Sequence, residues 1–572
     1  MNSAPNTVAR HVVSALEAEG VEHVFGMPGS HVLALYDALA DSKLRFVSAS
    51  HENTSTFMAG MYGFLKGKAG VALLTAGPGA TNSVSAVAQA FASSLPLVHI
   101  TGDVPLRAGP EAFHGVDRPD FLHRLFADIT KSSQRLERPE QVGDALARAF
   151  ALAQSGRPGP VHLDIPIDLS SARLPEEHTS KYVPHAVVAR EPDPGFVDAV
   201  CTSLARARRP VLCVCRGVLL HRAEEELLAL AESLGAPVLS TAYALGAFPQ
   251  QHALALGSFS EFSQNAFAFQ VIQSSDYLLV LGLRPGTDMA RMLAGVAPRD
   301  SAFVAFDEAE QLAAPTWPGP QSTCHLKSLL GRLLSRQAEF ARSPDPELVS
   351  AIDRQNSAFR RGLGLLLEPH RAQRPLHFGL VMQALGAQLA PDAIVVSGVG
   401  NHHVWARNLL PLQRRESFVA ESSWGTMGGE LGGGLAAKLV HPQRQVIVVT
   451  GDASLLMVAG DLLTAVKEQL NILVIVLNDS RHGIIRGMQR QAFGRSFGDE
   501  IAETSFAKLG ESMGLATRRL ELSQDIGTAL SESLAVSRER PTILDVVCDF
   551  GVPWPKRDAL IQAGLERAGS KA

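Results

Sequence analysis

Short β-branched runs alternate with longer amphipathic ones along the whole chain, and the alternation occurs three times over. In the first third the strand-like runs are His23–Phe25, Phe46–Ser48, Val71–Thr75, Leu97–Thr101 and Val161–Asp164, with helical stretches such as Thr7–Glu19 and Glu52–Lys66 between them. The middle third offers Pro210–Cys215, Pro237–Ser240, Tyr277–Leu281 and Ala302–Phe306. The last third offers Ala393–Ser397, Gln445–Thr450, Leu473–Leu477 and Thr542–Val547. Strands separated by helices pair in parallel, because the crossover returns the chain to the same end of the sheet. The pattern therefore predicts an α/β protein of three doubly wound parallel-sheet domains, over residues 1–185, 190–345 and 370–572. The linkers are expected near Pro184–Pro194 and Ser343–Arg374, where proline and charge thicken, and the second contains a helical, Arg-rich stretch.

Composition narrows this picture without changing it. A chain of 572 residues is too long for one core, and with 46% hydrophobic and 19% charged residues each third can bury its own. The net charge of −5 comes with no long basic block, which argues against nucleic acid and membrane surfaces as partners. The N-terminus turns amphipathic at once, without an apolar signal core, and no apolar run reaches the roughly 18 residues of a spanning helix. A cytoplasmic protein is expected. Cys213 and Cys215 lie two apart on a strand and Cys201, Cys324 and Cys548 are isolated, a spacing of reduced core cysteines rather than of disulfides or zinc.

The most informative segment runs from Gln445 to Gly483. One strand ends in Gly451-Asp452-Ala453-Ser454, a helix is expected over Asp461–Gln469, and the next strand ends in Asn478-Asp479-Ser480-Arg481. In an open parallel sheet the carboxyl ends of neighbouring strands face one crevice, so Asp452 and Asp479 converge there. Hard oxygen ligands at such a point suit Mg²⁺, which commonly takes further ligands from phosphates. Gly451 and Ala453 leave the backbone bare enough to meet phosphate oxygens. That both aspartates only cap helices is, on spacing alone, an equally open reading. The segment resembles the GDG…NN pattern of the thiamine-diphosphate (ThDP) enzymes, with Ala453 for the third Gly and Asp479 for the second Asn. The resemblance implies Asp452, Asp479 and the carbonyl of Arg481 as Mg²⁺ ligands, and the Gly451–Ser454 turn as part of the cofactor site.

Further motifs resemble the acetolactate synthase group of that family. His51-Glu52-Asn53, with Met58, Ala59 and Gly60 on the following helix, is similar to its HEQ…A..MA.GYA segment. Taken alone, Glu52 is a carboxylate favoured by a helix N-terminus; the resemblance makes it the acid that shares a proton with N1′ of the cofactor's pyrimidine. Phe25–Gly29, Leu73–Val84, Ile100–Pro105 and Gly156–Leu169 resemble FGxPG, xxTSGPGATNxV, ITGQVP and GRPGPVLVDIPxD. Ser397–Trp405 resembles TGVGQHQMW, which implies that Asn401 and His402 bond the diphosphate. Ser423–Leu439 resembles GLGTMGFGLPAAIGA, which implies that the Gly425 carbonyl and the Met427 backbone meet the pyrimidine while the Met427 side chain bends the cofactor. The likeness runs from Val8 to about Val547. It also implies at least a homodimer, or a dimer of dimers, since in this family the two halves of a site come from different subunits.

Three departures bear on chemistry. Met488 stands at the position of a tryptophan that shapes the acceptor pocket in acetolactate synthases, which suggests a different or looser acceptor side. The segment Arg284–Asp288 lacks an arginine found near the flavin of those synthases, so FAD becomes the less favoured expectation. Ala112-Phe113-His114-Gly115 replaces AFQE and brings in an imidazole. Ser30 and His31, after the first strand, are reminiscent of benzoylformate decarboxylase and benzaldehyde lyase, though a helix cap with a first-turn histidine is the plain alternative. His31 or His114 could move protons near neutral pH, and of the adjacent His402 and His403 one is expected on phosphate. The expected activity is ThDP- and Mg²⁺-dependent decarboxylation of a pyruvate-like 2-oxo acid, with the acyl carbanion passed to an oxo-acid or aldehyde acceptor. A simple decarboxylase or acyloin lyase is the alternative. A catalytically inactive scaffold is a third, against which the presence of Glu52, Met427, Asp452 and Asp479 argues.

Overall fold

The computed structural model of the chain describes residues 6–175, 182–259, 265–305, 317–420, 424–549 and 554–569. Phe306, at the end of one expected strand, and Ser423, at the head of the glycine-rich segment, lie outside the described residues.

Three six-stranded sheets are formed, and every strand pairing among the described residues is parallel. The first holds β1 (His23–Gly26), β2 (Arg45–Ser48), β3 (Gly70–Leu74), β4 (Leu97–Asp103), β5 (Ser132–Arg135) and β6 (Pro160–Pro166), in the order β2-β1-β3-β4-β6-β5. The second holds β7 (Pro210–Val214), β8 (Val238–Thr241), β9 (Ala255–Phe259), β10 (Tyr277–Leu281), β11 (Ser301–Ala305) and β12 (Gln321–Thr323), in the order β12-β11-β10-β7-β8-β9. The third holds β13 (Ile394–Ser397), β14 (Phe418–Ala420), β15 (Val446–Gly451), β16 (Leu473–Asn478), β17 (Ala516–Leu520) and β18 (Thr542–Val547), in the order β14-β13-β15-β16-β18-β17. The first and third sheets thus share one topology. Each reverses its direction of progression at the boundary between its first and third strands, and such switch points are where open parallel sheets bind ligands.

The strands that hydrophobic patterning does not reveal are β5, β9, β12, β14 and β17, and each lies at a sheet edge. An edge strand is paired on one side only and needs no continuous apolar run; β5, with sequence SSQR, has no fully buried residue. The helix expected over Asp461–Gln469 is the short helix Leu462–Lys467, entered through a 3₁₀ turn, Ala459–Asp461. A separate helix, Asp452–Val458, begins directly at the end of β15. At the 3₁₀ turn the Asp461 carboxylate accepts both the Ser50 N–H at 2.6 Å and the Thr464 hydroxyl at 3.1 Å, which ties the start of Leu462–Lys467 to the first third of the chain. Much of the expected linker Ser343–Arg374 is the 22-residue helix Pro346–Leu367, which packs closely on the helix Arg557–Gly569 because Gly362 and Gly564 carry no Cβ.

The first and third sheets are joined through topologically equivalent helices. Glu52–Lys66, between β2 and β3, packs on Gly429–Val440, between β14 and β15. A Cβ at Gly432 would stand 2.9 Å from the Phe57 Cβ, and one at Gly434 would stand 2.2 Å from a Val448 methyl of β15. The bare backbone therefore lets one helix touch both its own sheet and its counterpart.

All three sheets meet at Phe64. Its ring lies between Arg216 (5.5 Å to the centroid) from after β7 and Arg415 (5.1 Å) from before β14, contacts worth on the order of 0.5–2 kcal/mol each. Arg216 also donates to the Ser93 carbonyl at 2.9 Å, and Arg415 to the Phe64 carbonyl at 3.1 Å. Glu224 approaches Arg415 to 3.4 Å, yet neither its Oε1 nor Arg415 Nε makes a hydrogen bond. Desolvation therefore outweighs the pairing: burial lowers the Arg415 pKa and pushes that of Glu224 up to about 7. Among the described residues no helix is long and apolar enough to cross a membrane.

The sign of the resulting pH dependence is set by proton binding. Between the ordinary glutamate value of 4.5 and about 7, the folded protein holds a proton on Glu224 that the unfolded chain has released. This contribution to stability falls as pH rises through that window and is flat above it. Thermal melts of Glu224→Gln should lack the decline across the window that the parent shows; parallel curves would disprove the assignment.

Candidate active site

The switch point of the first sheet gathers most of the residues singled out in its half of the chain. Glu52 opens the helix Glu52–Lys66, whose cap is the His51 ring, accepting the Asn53 N–H at 3.1 Å. Glu52 itself is half-buried, and its Oε2 accepts from the Asn82 amide at 3.1 Å. A Cβ at Gly79 would lie 3.5 Å from Glu52 Oε1 and 2.6 Å from the Thr75 methyl. Thr75, just after β3, accepts the His31 N–H at 3.3 Å. His31 is buried, bonds Ser30 Oγ through Nδ1 at 3.0 Å, and stacks on His114 with ring centroids 5.0 Å apart. His114 in turn stacks on Phe113 at 4.0 Å. Its backbone has a φ of +67° and rests on Gly77, where a Cβ would meet the His114 carbonyl at 2.5 Å. Burial, and then the charge of His114, lower the His31 pKa, so its ring is neutral at physiological pH. Contacts through Gly77, Gly79 and Thr75 thus link the surroundings of Glu52 to Ser30, His31 and His114, with Asn82, Thr75 and Phe113 added by the structure.

The switch point of the third sheet gathers the residues of the other half. His402, in the first turn of the helix Asn401–Leu409, is buried and wedged between Gly400, where a Cβ would lie 2.6 Å from its Cε1, and Gly451, where one would lie 3.5 Å from its Nδ1. Burial pulls its pKa down to about 4 and that of His403 to about 3, so both are neutral. The buried Nε2 of His402 has no hydrogen-bond partner among the described residues.

Asp452 starts the helix that follows β15. Its Oδ1 accepts the Ala453 N–H at 2.7 Å, the backbone N–H groups of Asp479, Ser480 and Arg481 face it, and its buried Oδ2 has no partner among the described residues. Arg481 therefore turns its N–H toward this point. Asp479, at the end of β16, has its pKa pushed up to about 8 by burial, then by the neighbouring charges of Asp452 and Asp549. The same bare spot at Gly483 adjoins Asp479 Oδ2 (2.8 Å from a Cβ placed there) and Asn401 Nδ2 (3.1 Å). Two carboxylates held together out of water, one with an orphaned oxygen, form a site whose electrostatics call for a cation. Among the described residues no third His, Cys, Asp or Glu completes a cluster, so other ligands would be backbone, water or phosphate oxygens.

The loop with Gly425 and Met427 lies between the two sheets. Thr426 N–H donates to Gln89 Oε1 at 3.4 Å, and Gly428 N–H donates to Ser454 Oγ at 3.0 Å. Gly425 and Gly428 adopt φ of +74° and +88°, conformations that favour glycine. The Ser454 hydroxyl is spent inside the protein on Gly428 and on Glu430.

Glu430 was not visible in the chain's pattern. It is 1% exposed, and burial raises its pKa. The only hint was a carboxylate inside a helix otherwise made of Gly, Leu, Ala, Lys and Val. Asp461, also buried, is a second such residue: it carries the Ser50 turn that leads into Glu52.

The chain is similar to known proteins in all three of its parts. Residues 6–121 match the N-terminal TPP binding domain of the thiamine pyrophosphate enzymes, residues 197–313 their central domain, and residues 398–546 their C-terminal TPP binding domain. The acetolactate synthase of Mycobacterium leprae is 30% identical over 96% of this chain and 88% of its own length. The acetolactate synthase large subunit of Corynebacterium glutamicum is 30% identical over 96% of this chain and 88% of its own. The acetolactate synthase isozyme 1 large subunit of Escherichia coli K12 is 30% identical over 95% of this chain and 94% of its own.

Proposed function

Because the chain belongs to the thiamine-diphosphate (thiamine pyrophosphate) enzymes, we propose that it decarboxylates a small, pyruvate-like 2-oxo acid and transfers the acyl unit to an oxo-acid or aldehyde acceptor. The observation that carries this reading is the pairing of two switch-point crevices, one with Glu52 and the other with Asp452 and Asp479. The names of the acetolactate synthase relatives support the carboligase class. When bound, thiamine diphosphate supplies a thiazolium C2 that adds to 2-oxo carbonyls and accepts the electron pair left by departing CO₂.

The chain's own residues would divide the work as follows. Asp452 and Asp479 hold Mg²⁺, which supplies charge neutralisation for the diphosphate; the orphaned Asp452 oxygen and the raised Asp479 pKa fit a cation there. Asn401, the unpartnered His402 Nε2 and the Gly451–Ala453 backbone hold the diphosphate. Gly425 and Met427 orient the pyrimidine, and Glu52, fixed by Asn82, holds and returns a proton at N1′. Ser30, His31 and His114 move protons at the substrate. The stacked rings of His31, His114 and Phe113 also favour a second reading, in which the acyl unit is protonated or an acyloin is split. The products formed from a panel of 2-oxo acids with and without aldehydes, followed by mass, separate the two.

The site is read as completed by a second copy of the chain, as a dimer or dimer of dimers. Trp424 (54% exposed) and Met488 (52% exposed) present apolar surface beside it in the single chain. Flavin is not part of this reading. At the switch point of the second sheet, Gly217 N–H donates to the Gly282 carbonyl at 3.0 Å, and a Cβ at Gly282 would stand 2.7 Å from Gly217 Cα. This close backbone approach at the sheet's switch point, where an open parallel sheet would take a dinucleotide's phosphates, supports that reading beside the altered Arg284–Asp288 segment.

Three outcomes are expected. Chelation should abolish turnover, and Mg²⁺ with thiamine diphosphate should restore it; undiminished turnover by stripped protein would remove Asp452 and Asp479 from the mechanism. Glu52→Gln keeps shape but cannot exchange the proton, so turnover and C2 hydrogen–deuterium exchange should both fall roughly 10²- to 10⁴-fold, and parental exchange would place the acid elsewhere. The purified protein should be colourless and independent of FAD, whereas stoichiometric bound flavin would show that the second sheet opens.

A further inference from the structure

Three segments carry or adjoin the groups assigned above to the cofactor: residues 397–400, which lead from β13 into the helix of Asn401 and His402, residues 424–428, and residues 450–454, where β15 passes into the helix that Asp452 starts. They come from separate parts of the chain, and one side chain touches all three. Glu430 Oε1 accepts from Thr450 Oγ1 at 2.5 Å. The Ser454 hydroxyl bonds the same carboxyl group while accepting the Gly428 N–H at 3.0 Å. The other oxygen, Oε2, lies where Gly398 is bare: a Cβ on Gly398 would be 2.1 Å from it. The Gly398 carbonyl is in turn the partner of the His402 ring.

Glu430 is the counterpart of Glu52 in the third sheet. Both stand in the first turn of the helix that links the second and third strands of their sheet, and the two helices pack on each other. Glu52 is half-open to the crevice, whereas Glu430 is sealed beneath it. A carboxyl group shut away from solvent in a helix of Gly, Leu and Ala is costly unless its bonds are used; its side-chain partners are Thr450 and Ser454, while Oε2 has no hydrogen-bond partner among the described residues.

We propose that Glu430 is a positioning residue that ties these three segments into one cradle and so sets the affinity for thiamine diphosphate without touching the reacting atoms. This rests on the reading that the three segments hold the cofactor. Thr450 and Ser454 are the arms of the tie, and Gly398 is the space that admits it.

The test uses full-length protein and titrates Mg²⁺–thiamine diphosphate, and separately Mg²⁺ with inorganic pyrophosphate, by calorimetry and by intrinsic tryptophan fluorescence. Glu430→Ala should weaken both ligands roughly 10- to 100-fold, with a much smaller change in kcat at saturating cofactor. Glu430→Gln keeps an acceptor for Thr450 and should recover most of that affinity. Thr450→Val, which removes one hydroxyl and preserves shape, should weaken binding about three- to tenfold and stands in if Glu430→Ala does not fold. Parental affinity in Glu430→Ala or Thr450→Val, or a loss of kcat at unchanged affinity, overturns the proposal. Asp452→Ala separates the two readings: if it too leaves binding at the parental level, the placement of the cofactor fails, and Glu430 with it. If only the Glu430 and Thr450 variants bind normally, Glu430 alone is misassigned.

Discussion

The close approach of two helices across Gly432, Gly433 and Gly434 is the constraint on which the arrangement of the site depends. Three glycines inside a helix cost about 3 kcal/mol relative to alanine. The gain is that Gly429–Val440 can lie against Phe57 and Met61 of the first half while also touching Val396 and Val448 of its own sheet. The helix Glu52–Lys66 is held to the third sheet by this contact, and the Ser50–Asp461 bond fixes the turn from which it starts. Glu52 opens that helix, and Glu430 lies in the first turn of its partner. The same contact therefore positions the acid of one crevice and the buried tie of the other.

Two sheets with one strand order place two ligand crevices at equivalent points, and the chain has filled them differently. In the first, the loops after β1 and β3 bring hydroxyl, imidazole and carboxyl groups together, with Asn82 and Thr75 holding them. In the third, the loops after β13, β15 and β16 bring two aspartates and an imidazole into a site where charge is poorly solvated. Desolvation dominates the electrostatics of this protein: it decides the pKa shifts of Asp479, His402 and Glu430 near the third crevice, and of Glu224 at the three-sheet joint. At that joint geometry alone would suggest a stabilising ion pair, but the missing hydrogen bonds leave burial in control. The Phe64 ring meets two guanidinium groups there, Arg216 and Arg415, and both are partnered by backbone carbonyls as well, which offsets part of their own desolvation.

Central strands were legible because they are covered on both faces and read as apolar runs. Edge strands such as β5 and β17 were not, since half their surface faces water and their sequences, SSQR and ATRRL, resemble loops. The burial of Asp461 was not legible because it answers to Ser50, more than four hundred residues away in the chain. Candidate residues at strand ends were legible for the opposite reason: a strand followed by Gly, Asp or Ser forecasts a crevice by topology alone.

The sequence by itself determined the class of fold, the strands at the centre of each sheet, the family resemblance, and the two aspartates at adjacent strand ends. Periodicity and short motifs are local properties, and local properties survive without a structure. Only the tertiary structure decided which groups share a crevice, which carboxylates are sealed, and which polar atoms lack partners. His31 with His114, Asp479 with Asn401, and Glu430 with Gly398 are meetings of distant segments. Burial, on which their charge states depend, exists only once the whole chain has closed around them.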